Sequence, residues 1–114
     1  MKLFGVSQSS GVERKLYVER GADGIVLAVK EEKKELERVL VPIDDVLATV
    51  TDPAPGGIKV EGVSPAHGWK LLLKVEVRRN EVWLEMGRDG LTPADVAVGL
   101  DDFQDALETA VNRG

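Results

Sequence analysis

Six side chains of this 114-residue sequence have the types and spacing that suit a single nucleic-acid strand. They are Lys15, Tyr17 and Lys30 in the first half, and Lys74, Arg78 and Trp83 in the second. Aromatic rings stack on bases of any identity, while ammonium and guanidinium groups follow the phosphates. Glu19, Glu76 and Glu85 fall on the same side of their segments, so the pattern also fits a solvated face or an oligomer contact. Trp69 and Trp83 stand where an internal repeat, described below, has Val12 and Val26, and one of the two rings is expected in a core or interface. Trp83 is the better stacking candidate, because its neighbours Val82 and Leu84 claim the core side of the segment.

Other chemistries find less support. Asp44-Asp45 and Asp101-Asp102 could hint at a two-metal site, but each pair opens an apolar-periodic segment. Carboxylates there cap exposed N–H groups and favour the positive end of a helix dipole, whereas adjacent side chains splay apart as ligands. His67 is the only histidine and there is no cysteine. Thiol catalysis, disulfides and Cys-ligated zinc are therefore excluded, and no nucleophile–base–acid set is visible, so the expectation is a protein without enzymatic activity or cofactor. The motif Gly-Val-Ser-x-x-x-Gly occurs at residues 5–11 and again at 62–68. No helix follows it as one follows a phosphate-binding glycine loop, and turn geometry is the simpler reading.

The elements that must position these residues are repeated. Aligning Met1 to Gly57 with Ile58 to Gly114, without a gap, gives 14 identities, among them Gly5/Gly62, Ser7/Ser64, Leu16/Leu73, Val39/Val96 and Asp44/Asp101. Chance would supply roughly four or five in so Val- and Leu-rich a chain. In the second copy, Leu71 to Arg79 alternates, with Leu71, Leu73, Val75 and Val77 on one face, and Val82, Leu84 and Met86 repeat the pattern after a turn. Ile58 to Val63 and Val96 to Val98 complete four strands, and Leu100 opens a helix carrying Phe103, Ala106, Leu107 and Ala110. The first copy predicts strands at Lys2 to Val6, Glu13 to Arg20, Gly24 to Lys30 and Leu36 to Val41, then a shorter helix from Asp44 to about Thr51. Pro53 and Pro55 end it. Glu31 to Leu40 has strong helix propensity, and Thr92-Pro93-Ala94-Asp95 could start a helix; a hairpin is preferred in both places because the copies should share one structure.

The order ββββα-ββββα resembles the Pur-type purine-rich-element binders. Whirly proteins and the positive-cofactor type of transcription coactivator use related units. The best local stretch is Lys74 to Val111, with its alternating strands, the Val96-Ala97-Val98-Gly99-Leu100 strand end and the Phe103-anchored helix. The resemblance implies single-stranded DNA or RNA binding on an exposed sheet face, with helices packed behind or between the sheets. The expected architecture is α+β: two tandem ββββα repeats, 1–57 and 58–114, forming one pseudo-symmetric domain with twisted antiparallel sheets and two helices.

Charge qualifies the function. Net charge is −5, which disfavours indiscriminate binding to polyanions. The predicted helical segments hold seven acidic residues against Arg113 alone, leaving the sheet nearly neutral. A local site for DNA or RNA remains feasible. The rival expectation is an acidic interaction or assembly module, self-associating through sheet or helix faces that include Val26, Leu72 and Trp83. Met1 to Gly5 lacks the apolar core of a signal peptide and the longest apolar runs are too short to span a bilayer, so a cytoplasmic location without membrane contact is expected.

Overall fold

The computed structural model describes residues 1–112; Arg113 and Gly114, which close the second copy of the repeat, lie outside the described residues. The strands are β1 (Lys2–Val6), β2 (Glu13–Arg20), β3 (Ile25–Glu31) and β4 (Lys34–Val41), followed by helix α1 (Ile43–Thr51). Then come β5 (Ile58–Val63), β6 (Lys70–Arg78), β7 (Glu81–Gly87), β8 (Ala94–Gly99) and helix α2 (Leu100–Asn112).

These strands do not make two open sheets. They close into one antiparallel barrel in the order β1 to β8, with β8 pairing back onto β1. The expected α+β architecture of two sheets packed through their helices is thereby overturned: the protein is a mostly-β barrel with two helices. The physical reason is edge satisfaction. A four-stranded sheet has two edges with unpaired N–H and C=O groups, and closure sets each edge against another strand. Both closing contacts are narrow, one Cα pair each: Val6 with Ala97 between β1 and β8, and Leu40 with Val63 between β4 and β5. The 57-residue offset converts one pair into the other, so the internal repeat appears as two equivalent seams.

Alternation sets the wall's two faces. Leu16, Val18, Leu27, Val29, Leu73, Val75, Leu84 and Val96 are fully or almost fully buried on the inner face. On β2, β6 and β7 the outward residues Lys15, Glu19, Lys74, Glu76 and Glu85 alternate with them, where a membrane-spanning barrel shows lipid an apolar band. No described helix is long and apolar enough to cross a membrane. Helix α2 buries Phe103, Ala106, Leu107 and Ala110 and touches β2, β3, β7 and β8, so it seats across the barrel from one wall to the other.

The segment Glu31 to Leu40 turns at Glu32 and runs as β4, pairing Ile25 with Val41 through Glu31 with Lys34. Val39 and Val41 complete the inner wall, and that tertiary demand overrides the segment's helix propensity. The Thr92-Pro93-Ala94-Asp95 stretch likewise leads into strand β8. At α1 the N-cap is Pro42, with no side-chain cap hydrogen bond, so Asp44 lies inside the first turn and does not cap it. Asp44 and Asp45, like Asp101 and Asp102, act there through the dipole.

Candidate nucleic-acid interface

The barrel divides the six candidates into two groups. Lys15 and Tyr17 on β2 and Lys30 on β3 share one outer wall, with Lys15 directly opposite Lys30. Lys74 and Arg78 on β6 and Trp83 on β7 share another, four strands further round. The two groups thus lie on opposite walls.

On the first wall the registers extend the group onto β1. Lys2 sits opposite Tyr17 and Phe4 opposite Lys15, giving neighbouring rows Lys2–Tyr17–Ala28 and Phe4–Lys15–Lys30 across three strands. On β1 and β2 aromatic and cationic residues therefore alternate both along and across the strands, and Lys30 adds a further cation on β3. The Lys30 ammonium lies 4.8 Å from the Tyr17 ring centre and the Lys2 ammonium 5.4 Å from that of Phe4. Phe4 is 71% exposed, the most exposed large apolar side chain among the described residues. Beside it runs a groove of about 690 Å³ bounded by Phe4, Val12, Arg14, Lys15 and Glu32. Of the acidic groups on this wall, Glu19 is held 3.5 Å from the N-terminal ammonium.

Lys2 and Phe4 were not singled out from the sequence, which treats Lys2 to Val6 only as a short strand. The signal was present: with Leu3 facing inward, period-two alternation sends Lys2, Phe4 and Val6 outward.

On the second wall one ring carries two cations. Lys74 and Arg78 cover the Trp83 ring at 5.4 and 5.0 Å, and Glu76 pairs with Arg78. Trp83 is half-buried and donates its indole N–H to Asp95 at 3.0 Å. Trp69 is flanked by the stacked His67 ring at 4.1 Å and by the Arg88 guanidinium at 3.8 Å. Each indole thus has two ring neighbours, whereas Phe4 and Tyr17 have one cation each and Phe4 is the most exposed of the four rings.

Asp95 is the feature that sequence reasoning missed. It is 1% exposed on β8 beside the β1–β8 seam. Its Oδ1 accepts from the Ser7 and Ser9 hydroxyls, both at 2.7 Å, and from Arg14 Nη1 at 3.1 Å. Its Oδ2 accepts from the Gln8 and Ser9 amides at 2.8 and 3.2 Å, and from Trp83. Burial by itself would raise its pKa, but the hydrogen bonds from Ser7, Trp83, Ser9 and the Gln8 amide outweigh it and bring the value down to about 2. With its lone pairs filled, this carboxylate is an anchor and has no free position for a substrate. The clue was a single carboxylate inside the otherwise apolar Ala94-Asp95-Val96-Ala97-Val98 strand.

The repeated Gly-Val-Ser-x-x-x-Gly builds the same turn twice. Gly11 donates its N–H to the Ser7 carbonyl and Gly68 to the Ser64 carbonyl, each glycine with positive φ. Only the first copy faces an aspartate, because the 57-residue offset puts Arg38 where the other seam has Asp95. No group of three or more acidic or histidine side chains among the described residues is arranged to hold a metal ion. No family model, curated protein or solved structure matches the chain.

Proposed function

We propose that the outer wall of β1–β3 binds single-stranded DNA or RNA with little sequence dependence, bases stacking on Phe4 and Tyr17 and phosphates meeting Lys2, Lys15 and Lys30. The supporting observation is the exposed Phe4 ring between two lysines, one strand from the Tyr17–Lys30 pair. A phenyl ring left in water gains apolar contact when a base covers it, and the lysines that now lie over the rings carry the charge a backbone phosphate meets. Lys74, Arg78 and Trp83, expected at the same site, belong in this proposal to a separate wall where the ring is held by its own neighbours. The activity is binding, and the chain's own residues supply it without a cofactor.

Binding of a labelled single-stranded oligonucleotide across a salt series tests the reading. Three phosphate contacts correspond to a slope of log affinity against log salt of about −2. Phe4→Ala should weaken binding roughly tenfold, the order of one lost base–ring stack. Phe4, Val6 and Val12 also form an exposed apolar group that a protein partner could cover, which keeps the assembly reading in view. Association with such a partner would hold its strength as salt rises.

A further inference from the structure

We infer that the β1–β3 wall selects weakly self-stacking, pyrimidine-rich single strands over adenine-rich ones; this rests on the proposed nucleic-acid reading and names the substrate class. The argument begins with spacing. Phe4 and Tyr17 are diagonal neighbours, since Phe4 is opposite Lys15 and Tyr17 opposite Lys2. Diagonal side chains on an antiparallel pair stand about 7–8 Å apart. Consecutive bases stacked on one another are only about 3.4 Å apart. Two neighbouring bases that occupy both rings must therefore give up their stack on each other.

That loss differs between strands. Adenines stack strongly along a single strand and forfeit the most, whereas pyrimidines forfeit little, and preferences of this origin follow stacking strength and backbone flexibility. Ring size points the same way. Both available platforms are single six-membered rings, which a pyrimidine face covers. The larger indole platforms each carry two neighbours, His67 and Arg88 on Trp69 and Lys74 and Arg78 on Trp83, against a single lysine on each of Phe4 and Tyr17. The preference is the reverse of what a likeness to purine-rich-element binders implies.

The test uses the full chain with thymidine and adenosine deoxyhexamers of equal length, compared by fluorescence anisotropy at one low salt concentration. The thymidine hexamer should bind about fivefold more tightly, the equivalent of roughly one stacking step retained or lost. Phe4→Ala, at an exposed position that should not disturb folding, should weaken thymidine binding and shrink the ratio toward unity, because one remaining platform no longer forces two bases apart. Equal or tighter binding of the adenosine hexamer overturns the preference while leaving the nucleic-acid reading in place. An unchanged ratio in Phe4→Ala overturns the two-platform explanation. Failure of both hexamers to bind at low salt removes the nucleic-acid reading itself.

Discussion

Asp95 shows how one residue can decide a local structure that no repeat pattern announces. Its carboxylate gathers donors from the Ser7 turn, from Arg14 on β2 and from Trp83 on β7, so three separate parts of the chain meet on one charge. Removing it strands most of those donors. Asp95→Ala should destabilise the protein by about 3 kcal/mol, read as a shifted urea midpoint, because the Ser7 and Ser9 hydroxyls, the Gln8 amide and the Trp83 N–H lose this acceptor, while Arg14 keeps Glu31 and the residue-95 carbonyl. Acid should act through the same group. An unfolded aspartate titrates near ~3.9 and the native one near about 2, so the native state holds the charged form more tightly. Its contribution is present above ~pH 4 and is lost as pH falls from there through 2, a window worth roughly 2 kcal/mol. Comparing unfolding free energies at pH 6 and near pH 2 should show wild type losing that much more than Asp95→Asn. Equal losses would mean the carboxylate is not the acid-sensitive group.

At the level of elements, the seams depend on close backbone approach. A Cβ built on Gly5 would lie 2.2 Å from the Ala97 carbonyl, and one on Gly62 would lie 2.7 Å from that of Leu40. These repeated glycines therefore act within strands as well as in the turns expected of them. Gly5→Ala should cost about 2 kcal/mol or more by forcing β1 from β8, as overpacking a tight contact does. Gly11→Ala, where nothing lies within 4 Å but φ is +74°, should cost only about 1 kcal/mol of backbone strain. Thermal denaturation of the pair separates steric from conformational cost. Helix α2 adds the other main element-scale contribution. Phe103 and Leu107 are fully buried, and Phe103→Ala should cost about 3–5 kcal/mol from lost burial and the cavity left behind. Helical spacing makes both legible in the sequence, whereas the strand over Lys34–Val41 is legible only by analogy with the second copy, since its local propensity favours a helix.

For the whole molecule, closure links the halves. Each four-strand half, separated from the other, would expose β1 and β4 or β5 and β8 along their full lengths, together with an inner wall of valine and leucine. Cleaving the chain between Pro53 and Gly57 should leave fragments that are unfolded or aggregated alone and that regain structure when mixed, monitored by circular dichroism and size exclusion. Independently stable halves would contradict a barrel built jointly by both. Closure also governs the candidate site, because it turns what looks like one continuous sheet face into walls pointing in opposite directions. Tyr17 and Trp83 are matched in the sequence by their alternation with core residues, but they cannot meet the same short strand.

The sequence by itself determined the strands and helices, their order, the duplication that pairs Val6 with Val63, and the inward and outward sides of most strands. Apart from β4, which is read by analogy with the second copy, these follow from periodicity, which is local and survives in a linear reading. Three things were decided only by tertiary structure: the pairing of β1 with β8 and β4 with β5, the burial of Asp95 among donors from distant segments, and the division of the six candidate residues between two walls. Each depends on which strand edges meet when the sheet curves round on itself. Edge pairing leaves no trace in the spacing of residues along any one strand, so the repeat could be found while the barrel it builds could not.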